Sequence, residues 1–285
     1  LPGDDRTLGF LIPTTVSQMP WTSEFQLDQS SRTIRLVPED STDLVTSSAV
    51  AMTKLLRAAQ DAGSFTKLSN WPGEKFPILG APFPFAIDRA IAPYFGIVST
   101  GVQLNVFSRG ESGSIASIWI ARRDANKPMY AGMLDNAVGG AVKHGEMPFE
   151  SLVREAEEEL RMDAKAAVSG GTVSWFNIKD TRSGIHPGPV ESGVQYVYDL
   201  EVDTATVLHP AEAGIDWLRL LSVGEVKAAL DRREFKPSCA CVMIDFFVRH
   251  GIINADNDRD FAEIVSRLHR RLLLPTTYPQ KVGLY

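Results

Sequence analysis

Residues 139–162 read GGAVKHGEMPFESLVREAEEELRM, a glycine-rich turn that leads into a segment crowded with carboxylates. From Pro148 onward this segment contains no helix breaker until past Met162. Its apolar residues recur with helical spacing and form one stripe for packing: Phe149, Leu152, Val153, Ala156 and Leu160. The pattern predicts an amphipathic helix with Pro148 in its first turn.

Three carboxylates share one face of this predicted helix. Glu155, Glu158 and Glu159 follow the spacing i, i+3, i+4, which places their Cβ atoms about 5–6 Å apart. Like charges this close raise one another's pKa and cost stability unless cations neutralise them, so the cluster predicts a site for a divalent metal. Arg154 can pair with Glu158 one turn later. The alternative is a solvated acidic helix face.

The glycines before the helix add potential oxygen ligands. Gly139, Gly140 and Gly145 allow a loop that approaches the carboxylates closely, so that its carbonyl oxygens can bind a metal. Five residues separate Gly140 from Glu146, and seven more separate Glu146 from the run REAEEE, which begins at Arg154. This spacing resembles the Nudix box, the signature of hydrolases that split diphosphates linked to another moiety.

One position departs from the Nudix box. The family places a glycine where this chain has Arg161, and that glycine commonly ends the helix in a left-handed conformation. Arg161 therefore either adopts the same conformation, at a cost of about 1 kcal/mol, or the helix ends differently. No ligand is implied at this position, so we expect the chemistry to be retained.

The resemblance implies a divalent metal cofactor, Mg²⁺ or Mn²⁺, which would make a water molecule nucleophilic and neutralise the phosphate oxygens. The metal ligands that it implies are Gly140 through its carbonyl, Glu146, Glu155, Glu158 and Glu159. Glu158 and Glu159 are the principal ligands. Glu155 is either a ligand or the general base, with a base from another loop as the alternative. Arg154 fixes the carboxylates by hydrogen bonding, so Arg154, Glu155 and Glu158 are the catalytic candidates.

Five further side chains are candidates for substrate binding. Arg122 and Arg123 precede the glycine turn, and strand alternation puts only one of them on the site face, where a guanidinium can bind a phosphate with two hydrogen bonds. The alternative for each arginine is an ordinary surface charge. Asp135 and Asn136 either hold the amino-heterocycle of a substrate or cap a turn. His144 lies in the glycine loop, where it either meets a phosphate or stays exposed to solvent.

Length and charge limit the class of partner. The chain has 285 residues and a net charge of −6, with a pI near 5.5. This length exceeds a minimal Nudix domain, so we expect a second module. The acidic balance argues against a nucleic-acid or anionic membrane surface, and no apolar run reaches the roughly 18 residues of a membrane span. A small-molecule diphosphate is therefore the expected partner, with homodimerisation left open.

Cysteine content bears on the compartment. Only Cys239 and Cys241 occur, one residue apart in an apolar run, and we expect both to be buried free thiols. This suits a reducing compartment and favours a cytoplasmic location. The start of the sequence has no signal-peptide pattern, but it also lacks an initiator methionine, so organelle targeting stays open.

The chain is expected to form two domains. Residues 1–96 would be an accessory domain that helps to recognise the substrate base, with a strand at 33–37, a helix at 47–62 and a short helix at 87–92. Residues 97–285 would be the Nudix hydrolase domain with C-terminal helices. Its expected strands are 97–110, 114–123, 137–142, 171–178, 193–202 and 216–222, and its later helices are 223–232, 239–251 and 261–274. The class is α/β, an α/β/α sandwich with a mixed sheet, preceded by a smaller α+β domain.

Three passages narrow the resemblance. They are APYFGIVSTGVQLN at 92–105, IWIARRDANKPMYAGMLDNAVGGAVKHGEMPFESLVREAEEEL at 118–160, and FKPSCACVMIDFFVRHGII at 235–253. They are similar to Nudix proteins of fungi, plants and bacteria that are related to thiamine pyrophosphokinase and carry an extra N-terminal domain. This resemblance implies hydrolysis of thiamine diphosphate, or of its damaged oxo- and oxy- forms, to the monophosphate, as a repair of metabolite damage.

A second departure concerns the turn before the last predicted strand. Where that group tends to have a glutamate this chain has Gly214, within AEAGIDW, and Glu212 or Asp216 would have to substitute. Two alternatives to the thiamine reaction are kept. One is a pyrophosphatase for ADP-ribose or a dinucleotide, and the other is a non-catalytic ligand-binding Nudix module.

Overall fold

The computed structural model describes residues 1–65, 73, 75–89, 91–183 and 188–277, which divide by packing into two units. The first unit comprises the described residues of Leu1–Val98, Gly188–Ser192 and Leu272–Tyr285. The second comprises those of Ser99–Pro187 and Gly193–Arg271. The domain bounds expected from sequence, 1–96 and 97–285, stay a prediction.

The first unit is built from short strands and one long helix. Its elements are α1 (Pro13–Gln18), β1 (Phe25–Asp28), β2 (Thr33–Leu36), α2 (Leu44–Asp61), β3 (Lys75–Pro77), β4 (Ala86–Asp88) and α3 (Ala92–Phe95). The strands β1 and β2 pair antiparallel, as do β3 and β4. The side chain of Asp43 accepts a hydrogen bond from the Thr46 N–H at 3.0 Å, which explains why α2 begins before the predicted residue 47.

Two expectations for this unit are confirmed and one is wrong. The strand near 33–37 and the helix near 47–62 are present as β2 and α2. The short helix predicted at 87–92 is not found in the described residues 87–89 and 91, because Ile87 lies in β4 opposite Phe76 and the helix α3 begins only at Ala92. Pro93 lacks an N–H and is tolerated only in a first helical turn, so α3 starts directly before it.

The remaining elements belong largely to the second unit. They are β5 (Val98–Arg109), β6 (Ile115–Arg123), β7 (Leu134–Asp135), β8 (Val138–Ala141), α4 (Pro148–Leu160), β9 (Val168–Ile178), a 3-10 turn (Thr181–Ser183), β10 (Val190–Glu201), β11 (Ile215–Ser222), α5 (Val223–Asp231), α6 (Pro237–Arg249) and α7 (Phe261–Leu268). The sheet has the order β11-β6-β5-β10-β9, with β7 added to β6 and β8 added to β5.

The sheet contains a fork between β5 and β6. The strand β5 pairs with β6 around Phe107 but with β8 around Gln103, and β6 pairs with β7 at Ala121. The two long strands therefore diverge, and the segment 134–141 crosses the fork as β7 and β8. This crossing places Asp135, the residues after it and the glycines of β8 close to one another.

Helices cover both faces of this sheet, as the sandwich prediction requires. On one face Gly140 of β8 lies against the side chain of Glu155 in α4. Gly140 pairs with Val102, so α4 covers the face of β5 to which Val102 points. Phe107, five residues further along β5, points the other way, and its ring centroid lies 5.4 Å from that of Phe246 in α6. The α/β class with a mixed sheet is thereby confirmed.

The C-terminal helices are confirmed, with one correction. The helix predicted at 261–274 ends at Leu268, because the chain beyond it bonds to β9 instead. His269 Nδ1 lies 3.0 Å from the Thr172 carbonyl oxygen, and Ser174 Oγ donates to the Arg270 carbonyl at 2.6 Å.

Both cysteines are free, and Cys239 is buried. Throughout the described part of the chain, every helix is too short or too polar to cross a bilayer.

The helix α4 ends on a left-handed arginine. Arg161 has φ 52° and ψ 38°, the conformation that the Nudix glycine commonly adopts at this position. Its N–H donates to the Glu157 carbonyl at 3.1 Å, and the Met162 N–H donates to the Ala156 carbonyl at 3.2 Å. These bonds satisfy helix-end carbonyls, and they hold Arg161 where an L-residue is strained.

Replacing Arg161 with glycine should stabilise the protein. We expect Arg161→Gly to raise the free energy of unfolding by about 0.5–1 kcal/mol, because relief of the left-handed strain exceeds the extra entropy of an unfolded glycine. Urea denaturation measures the difference. Arg161→Ala is the matched control, since it also removes the exposed 3.7 Å ion pair with Glu157 but keeps the strain. Equal stability of the two variants would contradict this account.

Candidate active site

The helix α4 presents its acidic residues away from the core. Pro148 occupies the first turn, and the Met147 N–H donates to the Glu150 carboxylate at 2.9 Å. Leu152 and Ala156 are fully buried, so the apolar stripe faces the sheet as predicted. The carboxylates at 155, 158 and 159 consequently lie on the flank of the helix beside β8.

Arg154 lies at the centre of the acidic cluster. Its guanidinium donates to Glu146 at 3.0 Å, to Glu155 at 2.8 Å and to Glu158 at 3.0 Å. Burial acts to lower the pKa of Arg154, but the hydrogen bonds with Glu146 and Glu155 outweigh it and the pKa is raised. The same contact holds the pKa of Glu146 below its usual range. One cation thus joins three carboxylates from the helix and the preceding loop.

Gly140 makes room for Glu155. A Cβ atom at position 140 would overlap the carboxyl group of Glu155, so only glycine allows this carboxylate to lie against β8. Burial raises the pKa of Glu155, Arg154 opposes the shift, and the charge of Glu158 adds to it. The result is a half-buried carboxylate beside the carbonyl-bearing backbone of the glycine turn.

Glu159 is the most perturbed carboxylate of the cluster. It accepts a hydrogen bond from the Gly139 N–H at 3.1 Å, and among the described residues no lysine or arginine forms an ion pair with it. Burial raises the pKa of Glu159 to about 8, assisted by the charges of Asp135, Glu155 and Glu212. A buried carboxylate without a cation is costly unless it is protonated or bound by a positive ion.

The donor set suits an oxygen-preferring divalent cation. Carboxylate and carbonyl oxygens are the ligands that Mg²⁺ and Mn²⁺ take in proteins. Across the described ranges, however, no three His, Cys, Asp or Glu side chains converge on one point. The hydrogen bonds of Arg154 draw Glu146 and Glu158 toward its guanidinium, while Glu159 turns to the Gly139 N–H. The residues therefore fit a metal by their chemistry, and their side chains are arranged around Arg154.

A cavity of about 290 Å³, open to solvent, lies at the fork of the sheet. It is lined by Ala121, Arg122, Arg123, Lys127, Asp135, Asn136, Ala137, Gly139, Glu159, Gly214 and Ile215. Arg122 and Arg123 both border it, although strand alternation predicts only one of them. Both arginines are paired with β11, and the register of this pairing shifts between their partners Ile215 and Trp217, so regular alternation does not hold there.

Arg123 is committed to the wall of this cavity. It donates to Asp135 at 3.0 Å and to the Tyr130 carbonyl at 3.1 Å. Asp135 also accepts from the Cys239 thiol at 2.7 Å. Burial acts to raise the pKa of Asp135, but the positive charges of Lys236 and Arg123 hold it below its usual value. The pair is a buried, ionised contact, which leaves Arg122 as the exposed arginine.

Asn136 borders the cavity and ends a line of hydrogen-bonded amides. Its amide nitrogen donates to Asn105 Oδ1 at 2.8 Å, and Asn105 donates to Asp199 at 2.9 Å. Burial acts to raise the pKa of Asp199, yet Arg249 keeps it low, so Asp199 is ionised and can only accept. This direction fixes both amides and leaves Asn136 Oδ1 as the acceptor at the end of the line. That oxygen is buried and has no hydrogen-bond partner in the described chain.

Lys127 is a site residue that the sequence did not reveal. It lies in the loop after β6, where no periodicity or motif marks it. The signal that could have found it is Gly214, which has φ 111° and whose Cβ would overlap the Lys127 side chain near its amine. The departure from the Nudix pattern at position 214 thus coincides with a lysine in the same space.

The remaining candidates differ in their distance from the site: Glu212 lies near it, whereas Asp216 and His144 do not border the cavity. Glu212 is close enough for its charge to act on Glu159, and the neighbouring Ala211 N–H donates to the Glu159 carbonyl at 2.7 Å. Asp216 is exposed on β11 and does not border the cavity. His144 is likewise exposed and lies outside the cavity lining. Of the two proposed substitutes for the missing glutamate, Glu212 is therefore the one near α4.

Glu159 should make the metal-free protein sensitive to alkali. Its folded pKa of about 8 exceeds the unfolded value of about 4.3, so the stability present at low pH is lost as the pH rises through this window. Glu159→Gln lacks this ionisation. Its advantage over the wild type should therefore grow from pH 5 to pH 9, reaching on the order of 3 kcal/mol.

Urea denaturation in the presence of EDTA at pH 5, 7 and 9 checks this. Glu157→Gln is the matched control, because Glu157 lies on the same helix with 60% of its side chain exposed. Parallel pH curves for the wild type and Glu159→Gln would show that burial does not perturb this carboxyl group.

Comparison with known proteins agrees with this geometry. The NUDIX domain family matches residues 101–239, a range that includes the fork, the glycine turn and α4. An uncharacterized protein of Saccharomyces cerevisiae is 28% identical over 96% of this chain and 83% of its own length. Nudix hydrolase 20, chloroplastic, of Arabidopsis thaliana is 30% identical over 82% of this chain and 59% of its own length.

This chain therefore spans less than two thirds of the length of the plant relative. Among solved structures, DR0079 from Deinococcus radiodurans is 22% identical, covers 60% of this chain and 83% of its own, and has a TM-score of 0.35. The family match identifies residues 101–239 as a Nudix domain, and this range contains the carboxylate helix α4.

Proposed function

We propose that this enzyme hydrolyses the diphosphate linkage of a small molecule with the help of Mg²⁺ or Mn²⁺ bound at α4. The observation that carries the proposal is Glu159, a partly buried carboxylate without a cation partner in the described chain, which lies beside Glu155 and the glycines of β8. A divalent cation would neutralise this charge and satisfy the neighbouring oxygens at once.

The residues around the cluster have distinct roles in this proposal. Glu155, Glu158 and Glu159 would hold the metal, with the Gly140 carbonyl and Glu146 as further oxygen ligands. When bound, the metal would lower the pKa of a water molecule and neutralise charge on the phosphate oxygens. Arg154 would orient the carboxylates through the hydrogen bonds it already makes.

Glu155 is our candidate for the general base. Its burial raises its pKa, which suits a carboxylate that must accept a proton near neutral pH. Arg154 donates to one of its oxygens at 2.8 Å and so fixes its orientation. The proton taken from water would rest on Glu155 while the phosphorus–oxygen bond of the diphosphate breaks.

The substrate that we propose is thiamine diphosphate, or its oxo- and oxy- analogues, cleaved to the monophosphate and phosphate. Support comes from buried polar atoms without partners in the described chain, on Gln103, Gln195 and Trp175. The carboxamide of Gln103 lies 2.6 Å from where a Cβ of Gly139 would be, next to the cavity. The unsatisfied Oε1 of Gln103 would accept a hydrogen bond from the amino group of such a heterocycle.

This proposal places the chain in the group of Nudix proteins related to thiamine pyrophosphokinase, with its first unit as an accessory domain. It also includes a cytoplasmic site of action, since both cysteines are free thiols.

The direct test offers thiamine diphosphate, its oxo- and oxy- analogues, ADP-ribose and NADH side by side with Mg²⁺ or Mn²⁺. Turnover of ADP-ribose or NADH alone would refute thiamine diphosphate as the substrate. Turnover of none of the compounds would refute the proposed hydrolysis.

Glu158→Gln should remove most of this activity. We expect kcat to fall at least about 100-fold, because the change deletes a charged ligand while keeping the shape of the side chain. The fold should be retained, since 48% of the Glu158 side chain is exposed. Product analysis and circular dichroism measure both. Glu157→Gln is the control on the same helix, and an equal loss in both variants would point to damage of α4 rather than of a ligand.

Gly140→Ala should inactivate the enzyme through Glu155. The added Cβ would occupy the place of the Glu155 carboxyl group, and displacement of a catalytic group by about 1 Å can cost about 100-fold in rate. The comparison variant is Gly224→Ala in α5, where a Cβ would meet no atom within 4 Å. Steady-state assays of both proteins check this, and full activity of Gly140→Ala would mean that Glu155 is not needed where it lies.

A further inference from the structure

The amine of Lys127 lies in the fork cavity without a counter-charge. Within the described chain no carboxylate forms an ion pair with it, whereas Arg123 and Asp135 neutralise each other at 3.0 Å. The charges left around the cavity are Lys127 and the exposed Arg122 on one side and Glu159 on the other. Two cations that border a cavity beside the proposed metal cluster favour an anionic ligand group.

Gly214 holds this arrangement in place. Its φ of 111° lies in the left-handed region that L-residues rarely adopt, and a Cβ there would overlap the Lys127 side chain. A side chain at position 214 would thus push the lysine out of the cavity. The lysine comes from the loop after β6, and the glycine in the turn before β11 leaves room for its amine.

Asn136 adds a second polar contact to the same cavity. Its Oδ1 is buried, lacks a partner in the described chain, and is held as an acceptor by the chain of amides that ends at Asp199. An unsatisfied buried acceptor is costly, so a ligand that donates a hydrogen bond there is favoured. A phosphate group with a free hydroxyl offers both the oxygens for Lys127 and the hydrogen for Asn136.

The size of the cavity limits what can enter. Its volume of about 290 Å³ includes open solvent, so the enclosed space is much smaller, and Ala121, Ala137 and Ile215 form part of its lining. Sites for whole drug-sized ligands run from about 300 to 1,000 Å³. The cavity therefore suits the end of a substrate rather than a nucleoside.

We propose that this cavity is the subsite for the terminal phosphate of the substrate, with Lys127 as its anchoring cation. The inference rests on the proposed diphosphate hydrolysis and deepens it. The group bound there is the one that leaves as inorganic phosphate. Diphosphates that end in a free phosphate fit, whereas compounds whose diphosphate is esterified on both sides would have to place a second, larger group in this small space.

The experiment compares the wild type with Lys127→Met, Lys127→Arg and Gly214→Ala. Each is assayed with Mg²⁺ on thiamine diphosphate, which ends in a free phosphate, and on ADP-ribose, which is esterified on both sides. Inhibition by inorganic phosphate is measured in parallel. Lys165→Met is the control, because Lys165 is 76% exposed and does not border the cavity.

We expect Lys127→Met to raise the KM for thiamine diphosphate about tenfold or more, with a smaller change in kcat, and to weaken phosphate inhibition by a similar factor. Lys127→Arg should restore much of the loss, because it keeps the cation. Gly214→Ala should resemble Lys127→Met, because its methyl group displaces the amine. An unchanged KM in Lys127→Met, or an equal loss of activity on both substrates, would contradict the proposal that this cavity binds the terminal phosphate.

Failure of the proposed function gives a different result. If the wild type cleaves neither substrate, the proposed hydrolysis is refuted, and binding of inorganic phosphate to the metal-free protein decides the subsite by calorimetry. Phosphate binding that Lys127→Met abolishes would support the subsite, and binding that is absent or unchanged would refute it. A wild type that prefers ADP-ribose would overturn the terminal-phosphate inference while leaving the hydrolysis standing.

Discussion

The repulsion among carboxylates on one flank of α4 is the constraint on which the rest of the site depends. The side chain of Arg154 relieves it by donating to Glu146, Glu155 and Glu158, so that a single guanidinium fixes residues of both the loop and the helix. One cation cannot balance three anions. Glu159, left outside these hydrogen bonds, accepts one from the Gly139 N–H, and its raised pKa reflects an ionised form that burial and neighbouring carboxylates destabilise. The cluster is thus stable as a folded element and still electrostatically incomplete.

The fork of the sheet separates the two kinds of charge that phosphate chemistry needs. The carboxylates stand on α4 beside β8, while the cations come from the end of β6 and the loop that follows it. The segment that crosses the fork lies between them and contributes the N–H of Gly139. This division explains how a chain with a net charge of −6 can offer positive charge to an anion at one place.

Local patterns in the sequence were sufficient for most of the longer elements and for the acidic face of α4. The apolar spacing from Phe149 and the proline at the helix start fix α4 without reference to any distant residue. The fork could not be predicted, because the addition of β7 to β6 and of β8 to β5 depends on pairing between segments far apart in the chain. The contact between Lys127 and Gly214 is equally non-local. The wrong helix at 87–92 has a related cause, since Ile87 is held in a strand by its partner Phe76.

The amides of Asn105 and Asn136 form a line of hydrogen bonds with one fixed donor-to-acceptor direction. Each side-chain amide can adopt two orientations that exchange its oxygen and its nitrogen. The orientation is fixed at one end of the line, where Asp199 accepts hydrogen bonds from Asn105 and from the guanidinium of Arg249. The orientation of the Asn136 amide is therefore set by Asp199 in β10 and Arg249 at the end of α6. If Asp199 were replaced by a donor, both amides would rotate, and the unpaired group of Asn136 would be an N–H instead of an oxygen.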